Sequence, residues 1–565
     1  MNPFKPLIEP MLTAFPGLEA GDISFTTPPK LDLGDVAIPM FIPGRKLSKA
    51  PQVLAAEAAQ QTIFGKQVRS AAAAGPYLNL KLDRAFFAKT IVEAILQEGD
   101  AFGSNHTGLG KRALIEHTSI NPNASPHVGR ARCAMIGDSI SRLFRFEDYH
   151  VEVHYYVNDM GRQIGLLVLI ADELEGMTFD QVLDAYVRAN ARAEQDPEFA
   201  AQGYELLAKM EEGDPDAQKK FGAVVDLCLQ GQLAVLARIG AHYDVFDHES
   251  KYVKDPRLDH VLEALREKEA VFVDEEQRLV VDLAKLGHAQ EEGRYFVLMR
   301  ANGSSMYGYR DLAYTMDKEA IHADINLIAL GEDHKLYFQQ LAMILEAAGH
   351  KVPEPIYYSY ILLKDGKMST RQGNVVLLTD FLDEAIRRAA ERVAEQCNDL
   401  TPEEQRVIAE RVAIAAVRFA VLRVGSNKNV SFDMDAALSF EGDTGPYIQY
   451  SCARINSILR KYGQPLPMAP RQNFPIETDA EWALLTKLAA FPDVVSGALR
   501  QRTCAPIAVY VLEVSRSFTS FYHDCPVLTA GRPELVESRL LTCQAALQTL
   551  KNALYLLGIE VPERM

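Results

Sequence analysis

Two polar stretches carry residues able to handle a polyphosphate. The first runs from Glu116 to Asp138, EHTSINPNASPHVGRARCAMIGD. A short apolar strand carrying Glu116 passes through an Asn-Pro-Asn-Ala-Ser-Pro loop into a helix whose first turn is His127-Val128-Gly129-Arg130. Asn-Pro marks the turn, and Ala131, Met135, Ile136 and Ile140 follow at helical spacing. Such an entry sets His127, Gly129 and Arg130 where free backbone N–H groups and the helix dipole favour an anion. Gly129 lets a flat ring or a phosphate approach the backbone without meeting a Cβ. The second stretch, Lys364 to Asn374, reads KDGKMSTRQGN, with Lys367 and Arg371 spaced to pinch a polyphosphate from another side. Either stretch alone is equally compatible with a capped helix entry or a basic surface turn.

Composition narrows the classes. At 565 residues the chain is too long for one core and suggests three or four domains. It is 48% hydrophobic and 24% charged, ordinary for a globular protein. The net charge of −17 argues against a generally nucleic-acid-coating surface, but RNA binding needs only a local basic face. Seven scattered cysteines, never spaced Cys-x-x-Cys, indicate neither a disulfide framework nor a zinc site. His150 and His154 share a strand face without a third ligand in view, and are read as structural. The N-terminus lacks the pattern of a secretory leader and no 18-residue apolar run is seen, so a cytoplasmic protein without membrane attachment is expected.

The elements that must position these residues alternate strand and helix. His150–Val157 is a strand after the first helix, and strand–helix–strand implies a parallel sheet with its ligand crevice at the carboxyl ends of the strands. Ile325–Leu330 is a further strand ending at Gly331-Glu332-Asp333-His334, and Ile356–Leu363 is the last one, delivering the KMSTR loop. Segments 270–273 and 279–283 predict a hairpin, and Tyr307, Tyr309 and Asp311 fall on a short strand or helix entry. Residues 1–107 read as a small α+β module, with helical patterns in 51–70 and 84–97 around an alternating strand, 77–82. Amphipathic helices fill 168–268, an insertion within a catalytic unit of 108–377. Helices dominate 378–445 and 446–565, where Arg454, Arg460, Lys461, Arg500, Arg502, Arg516 and Lys551 either line a phosphate-tracking face or are ordinary solvated positions.

The two polar stretches, in this order and about 240 residues apart, resemble the His-x-Gly-His and Lys-Met-Ser-Lys-Ser signatures of class I aminoacyl-tRNA synthetases. EHTSINPN, YYVNDMGRQIG, MYGYRDLAY, KMSTRQGNVV, SFEGDTGPYIQYSCARI and LLGIEVPERM look like arginyl-tRNA synthetase along nearly the whole chain. The resemblance implies a Rossmann-like parallel-sheet catalytic domain with a helical insertion, an N-terminal α+β domain touching the tRNA elbow, a helical stem-contact region, and an all-α anticodon-binding domain. It implies activation of L-arginine by ATP and transfer to tRNA(Arg), commonly with tRNA needed for activation, in a monomer. Magnesium would accompany ATP, with no tightly bound cofactor and no dedicated metal site.

By the same resemblance, His127, Arg130, Lys367 and Arg371 are the catalytic candidates. His127, Gly129, Arg130, Lys367, Met368 and Ser369 hold ATP, with Gly366 and Gly373 as hinges. Glu116, Asn121, Tyr307, Asp311 and Glu332 bind arginine, Asp311 gripping the guanidinium beside Tyr307 and Asn121 holding the α-amino or carboxylate end. One position departs from the pattern: the second signature histidine is Arg130 here. The alternatives are a paralogue with a specialised arginyl-transfer role and a tRNA-binding regulator without catalysis.

Overall fold

The computed structural model describes residues 4–565 apart from 27, 29, 123–124, 175, 289–290, 365–375, 397–399, 468 and 473. The chain divides into two compact units. One comprises residues 1–107, 389–419 and 436–565, the other residues 108–388 and 420–435.

At the centre of the second unit lies a five-stranded, all-parallel sheet. Its spatial order is Glu354–Tyr358, Ile325–Gly331, Arg112–Glu116, His150–Val157, Val245–His248. The strand Arg112–Glu116 is first in sequence yet central in space, with later strands added on both sides. The order reverses between it and Ile325–Gly331, the place where open parallel sheets bind ligands beyond their carboxyl ends. Helix Val128–Phe146 packs on one face, burying Ala131, Met135, Ile140 and Phe144. Gly137 lets it approach: a Cβ there would stand 2.1 Å from the His117 side chain.

The other face is polar. Register pairs Glu116 with His154 and Tyr156 with Asp247, so these four side chains point the same way. Helix Tyr307–Ala320 lies over them, with the Tyr314 ring stacked on Tyr156 at 4.5 Å. Behind this helix, Leu258, Val261, Val281, Leu298, Leu341 and Ile344 belong to a separate apolar core. That core is shared with a three-stranded antiparallel sheet built from Val271–Val273, Leu279–Asp282 and Tyr295–Met299. The first two strands are the hairpin expected from the sequence.

Three local expectations are corrected. The stretch 168–268 does form long helices (Phe179–Gln195, Pro197–Glu212, Pro215–Ala237), but it also supplies Val245–His248, an edge strand of the main sheet. Its four residues bear no run long enough to register as a strand in sequence. The expected last strand, Ile356–Leu363, is two. Glu354–Tyr358 ends the main sheet, and Ile361–Leu363 pairs in parallel with Val430–Phe432, a strand inside the region read as helical. The break at Ser359-Tyr360 is held by the buried Arg132 guanidinium, which donates to both carbonyls at 2.5 and 3.2 Å. In the other unit the helix from Pro51 stops at Gln61, and Val68–Ala74 is a strand paired with Tyr77–Leu82.

That unit joins a small sheet (Val36–Pro39, Tyr77–Leu82, Val68–Ala74) to a bundle of helices. Helix Arg84–Glu98 packs against Asp479–Ala489 and Pro533–Leu556, and Arg84 ties Asp35 to Asp479 at 2.8 Å each. Two stretches, Pro215–Ala237 and Asp479–Gln501, are long and apolar enough by length and composition to cross a membrane. In the fold they bury core side chains such as Phe221, Val225, Trp482 and Leu485. The six described cysteines are buried free thiols.

Candidate active site

His127 is the N-cap of helix Val128–Phe146, as the turn chemistry predicts. Its Nδ1 accepts the backbone N–H of Arg130 at 3.3 Å. With Nδ1 accepting, the ring proton sits on Nε2, leaving an N–H donor at the mouth of the helix. Burial lowers the imidazole pKa, and the neighbouring Arg130 charge lowers it further, so the ring is neutral at physiological pH. The space beside Gly129 is taken by this ring, 3.0 Å from where a Cβ would stand. Arg130 reaches toward Tyr358 at the end of the neighbouring strand. Burial pushes the Tyr358 phenol up and the Arg130 guanidinium opposes it.

Lys367, Met368, Ser369 and Arg371, with Gly366 and Gly373, lie outside the described residues. Their flanks are described. Val128 donates its N–H to Val376 O at 3.1 Å, Leu378 N–H donates to Pro126 O at 2.8 Å, and His127 and Leu377 form an isolated antiparallel bridge. On the preceding side, Lys364 N–H donates to Phe432 O at 2.9 Å. Arg132, from the same helix as Arg130, donates to Gly425 O and Lys428 O at 3.2 and 2.7 Å, besides Ser359 and Tyr360. The helix that begins at His127 therefore anchors the chain on both sides of segment 365–375. With no carboxylate among these partners, burial depresses the Arg132 guanidinium to about 10, still charged at neutral pH.

The arginine-binding candidates converge in part. Asp311 stands one helical turn beyond Tyr307. It accepts the Tyr337 hydroxyl at 2.5 Å, and Tyr337 packs on the exposed Tyr307 ring at 5.1 Å. Burial raises the Asp311 carboxyl to about 6, and the nearby Glu116 charge adds to the effect, while the Tyr337 and Tyr156 hydroxyls and Lys318 oppose it. Glu116 is buried and forms an ion pair with Lys318, whose Nζ lies 4.3 Å from the Tyr314 ring centre. Asn121 is exposed, and its carbonyl accepts from Gln232 at 2.8 Å. Glu332 stands apart from this group: it is exposed, and its ion-pair partner is Lys335 at 3.4 Å.

Several residues of this site were not expected. Lys318, Tyr337 and Tyr156 touch or face the two carboxylates. Beside them Glu249 is buried against Arg310 at 2.5 Å, and burial together with the Asp311 and Asp159 charges pushes its carboxyl toward neutrality. Lys318 left one signal. It lies seven residues beyond Asp311, two helical turns along the same face. Of the two histidines read as structural, His150 is exposed, and His154 is buried with Nδ1 2.7 Å from Asp247. Among the described residues no group of three or more His, Cys, Asp or Glu side chains is placed to hold a metal ion.

In the other unit a pocket of about 490 Å³ is lined by Tyr450, Arg454, Arg460, Tyr522 and Arg564. The Arg454 guanidinium lies between the Tyr450 and Tyr522 rings, 4.8 and 5.0 Å from their centres. Cationic and aromatic faces together suit a nucleotide base and its phosphate.

Comparison with known proteins agrees along the whole chain. Residues 91–434 match the family of class I tRNA synthetases (R), catalytic domain; residues 448–565 match the DALR anticodon binding domain; residues 4–82 match the arginyl tRNA synthetase N-terminal domain. The arginine–tRNA ligase of Methanocaldococcus jannaschii is 35% identical over 559 residues, covering 96% of both chains. That of Methanospirillum hungatei is 35% identical over 544 residues, 94% of this chain and 95% of its own. The arginyl-tRNA synthetase of Thermus thermophilus superposes with a TM-score of 0.77 at 28% identity, covering 99% of each chain. The Plasmodium falciparum enzyme shares the fold at 18% identity, with a TM-score of 0.76. With family matches spread from residue 4 to 565 and relatives aligned over nearly their full length, the chain belongs to the class I arginyl-tRNA synthetase family.

Proposed function

We propose that this chain activates L-arginine with ATP and transfers the arginyl group to tRNA(Arg), acting as a cytoplasmic monomer. The observation that carries the site assignment is the anchoring of both flanks of segment 365–375 to the helix of His127. Residues 126–128 hold 376–378, and Arg132 holds 359–360 and 425–428. This supports bringing Lys367 and Arg371 to the same triphosphate that His127 meets.

In activation the arginine carboxylate attacks the α-phosphate of ATP, forming the acyl–phosphate bond as pyrophosphate leaves. The nucleophile is already anionic, so the site supplies positioning and positive charge rather than a general base. Neutral His127 donates from Nε2. Arg130, in place of the second signature histidine, presents a planar bidentate fork to phosphate oxygens. Lys367 and Arg371 close over the pyrophosphate, and Met368 and Ser369 complete the loop around ATP. Magnesium enters as the counter-ion of ATP. Asp311, Tyr307 and Tyr337 receive the guanidinium, and Asn121 the polar end of the amino acid. In the second step a terminal ribose hydroxyl of tRNA takes the arginyl group and AMP leaves. The Tyr450–Arg454–Tyr522 pocket supports RNA binding by the C-terminal bundle.

The test is arginine-dependent ATP–pyrophosphate exchange with and without tRNA(Arg). Exchange that requires arginine in the presence of tRNA establishes the reading. A tRNA-binding regulator gives none under either condition.

A further inference from the structure

We infer that Lys318 is a positioning residue of the amino-acid site, occupying Glu116 so that Asp311 alone is left to meet a cationic side chain. This rests on the arginine-activating reading above.

Among the described residues, most carboxylates beside helix Tyr307–Ala320 have basic partners. Glu116 pairs with Lys318, Glu249 with Arg310, Asp247 lies against His154 and Asp159 against His248. Asp311 differs: its hydrogen-bond partners are tyrosine hydroxyls, and among the described residues no cation forms an ion pair with it. The planar donors of a guanidinium match a carboxylate flanked by phenols.

Lys318 suits the task. It is 2% exposed, and its compact ammonium lies over the Tyr314 ring and pairs with Glu116. Asp311 is faced by Glu116 from the central strand, Tyr156 from the next strand, Glu249 from the turn beyond Val245–His248, Tyr337 from the following helix, and Arg310 and Lys318 from its own. Without Lys318, two buried anions would face each other, and one carboxyl would take up a proton near neutral pH. Asp311 would then spend part of its time neutral and lose its hold on the substrate. Without Glu116 the sign reverses: a released Lys318 turns to Asp311 and competes with arginine.

The experiment compares wild type, Lys318→Met, Glu116→Gln, the double variant and Lys318→Arg in tRNA-supported ATP–pyrophosphate exchange. It reads the pH profile of kcat/KM for arginine and KM for ATP, with thermal melting as the folding control. For Lys318→Met, the acid limb is expected to move up by about one pH unit from about 6, so that KM for arginine rises about twofold at neutral pH and about tenfold near pH 5, with KM for ATP unchanged. Glu116→Gln moves the limb down while raising KM for arginine. The double variant, neutral at both positions, returns the limb to the wild-type position, and Lys318→Arg stays near wild type. A Lys318→Met limb superimposed on wild type, or a double variant no better than Lys318→Met, overturns the role. If Lys318→Met does not fold, the opposite shift in Glu116→Gln and the return in the double variant still decide it. A wild-type enzyme whose exchange ignores arginine overturns the parent reading instead.

Discussion

Leu377 bridges to His127, so the residues leaving the second polar signature run antiparallel to those entering the first helix. His127 therefore has two separable duties. Its Nδ1 caps the helix, and its Nε2 is left for ligand. Asparagine keeps the cap but not the imidazole, and alanine keeps neither. His127→Asn is expected to hold the wild-type melting temperature while the exchange rate falls about 100-fold, the scale of a lost transition-state donor. His127→Ala is expected to lose the same rate and about 1 kcal/mol of stability besides. Equal stability losses in the two variants would show that the cap is not what His127 contributes to the fold.

Arg130 is the departure from the family signature, and it stands beside Tyr358 at the crevice. Its guanidinium is permanently charged and does not depend on pH in the way an imidazole does. Arg130→Ala is expected to slow ATP-dependent exchange at least about tenfold, since a charge-assisted contact to phosphate contributes well over 1 kcal/mol. A rate within about twofold of wild type, far below that of a lost transition-state contact, sinks the role. Arg130→His, restoring the signature residue, should retain most of the rate.

Asp311 gives a pH dependence whose sign can be worked out. Its carboxyl in the free site is raised to about 6, chiefly by burial. A guanidinium binds the ionised form and pulls that pKa down. Arginine binding is therefore at full strength above pH 6 and weakens as pH falls through it, with KM for arginine rising about tenfold per pH unit below that point. Titration of KM between pH 5 and 8 at saturating ATP checks this, with roughly constant values expected above about pH 7. Asp311→Asn should remove the dependence and raise KM about 100-fold, as expected for a lost charge-assisted pair.

What the sequence disclosed follows the range of the interactions. The helix start at His127 was legible because Asn-Pro and the apolar spacing after Gly129 are local signals. The central strand ending in Glu116 and the strand Ile325–Gly331 were legible for the same reason. The edge strand Val245–His248 was not, because four residues become a strand only when His154–Val157 supply the partner. The break at Ser359 was equally hidden: it depends on Arg132, more than 220 residues earlier in the chain. In the site, Asp311 and Tyr307 carried a motif, but the ion pair of Glu116 with Lys318 was hidden, because the two residues are 202 positions apart. Glu332 comes from the resemblance alone, and its ion pair with Lys335 at 3.4 Å is a contact within one helical turn.

The Tyr450–Arg454–Tyr522 stack separates RNA binding from chemistry. Arg454 is held between two rings and lines a pocket far in sequence from the signatures. Arg454→Ala is expected to weaken tRNA(Arg) binding about tenfold, the value of one cation–π and phosphate-directed contact, while ATP binding by the free enzyme is unchanged. Filter binding of tRNA and equilibrium binding of ATP make the comparison. Equal loss in both would mean the substitution acts on the fold.

Arg132 is the last test of the anchoring argument, since it joins the chain before segment 365–375 to residues 425–428 through four carbonyl oxygens, two on each stretch. Replacing it with methionine keeps much of the apolar volume but strands buried acceptors, at a cost of about 3 kcal/mol. Lysine retains a charge and three donors but cannot span four carbonyls in a plane, so it should recover part of that loss. Urea denaturation measures the stability. The functional expectation is sharper: with Ser359-Tyr360 and Gly425–Lys428 released, KM for ATP should rise while KM for arginine changes little, because Asp311 and its tyrosines lie on the opposite face of the sheet from the Arg132 helix. A variant that loses stability but keeps both KM values would mean that Arg132 supports the fold without positioning the second signature.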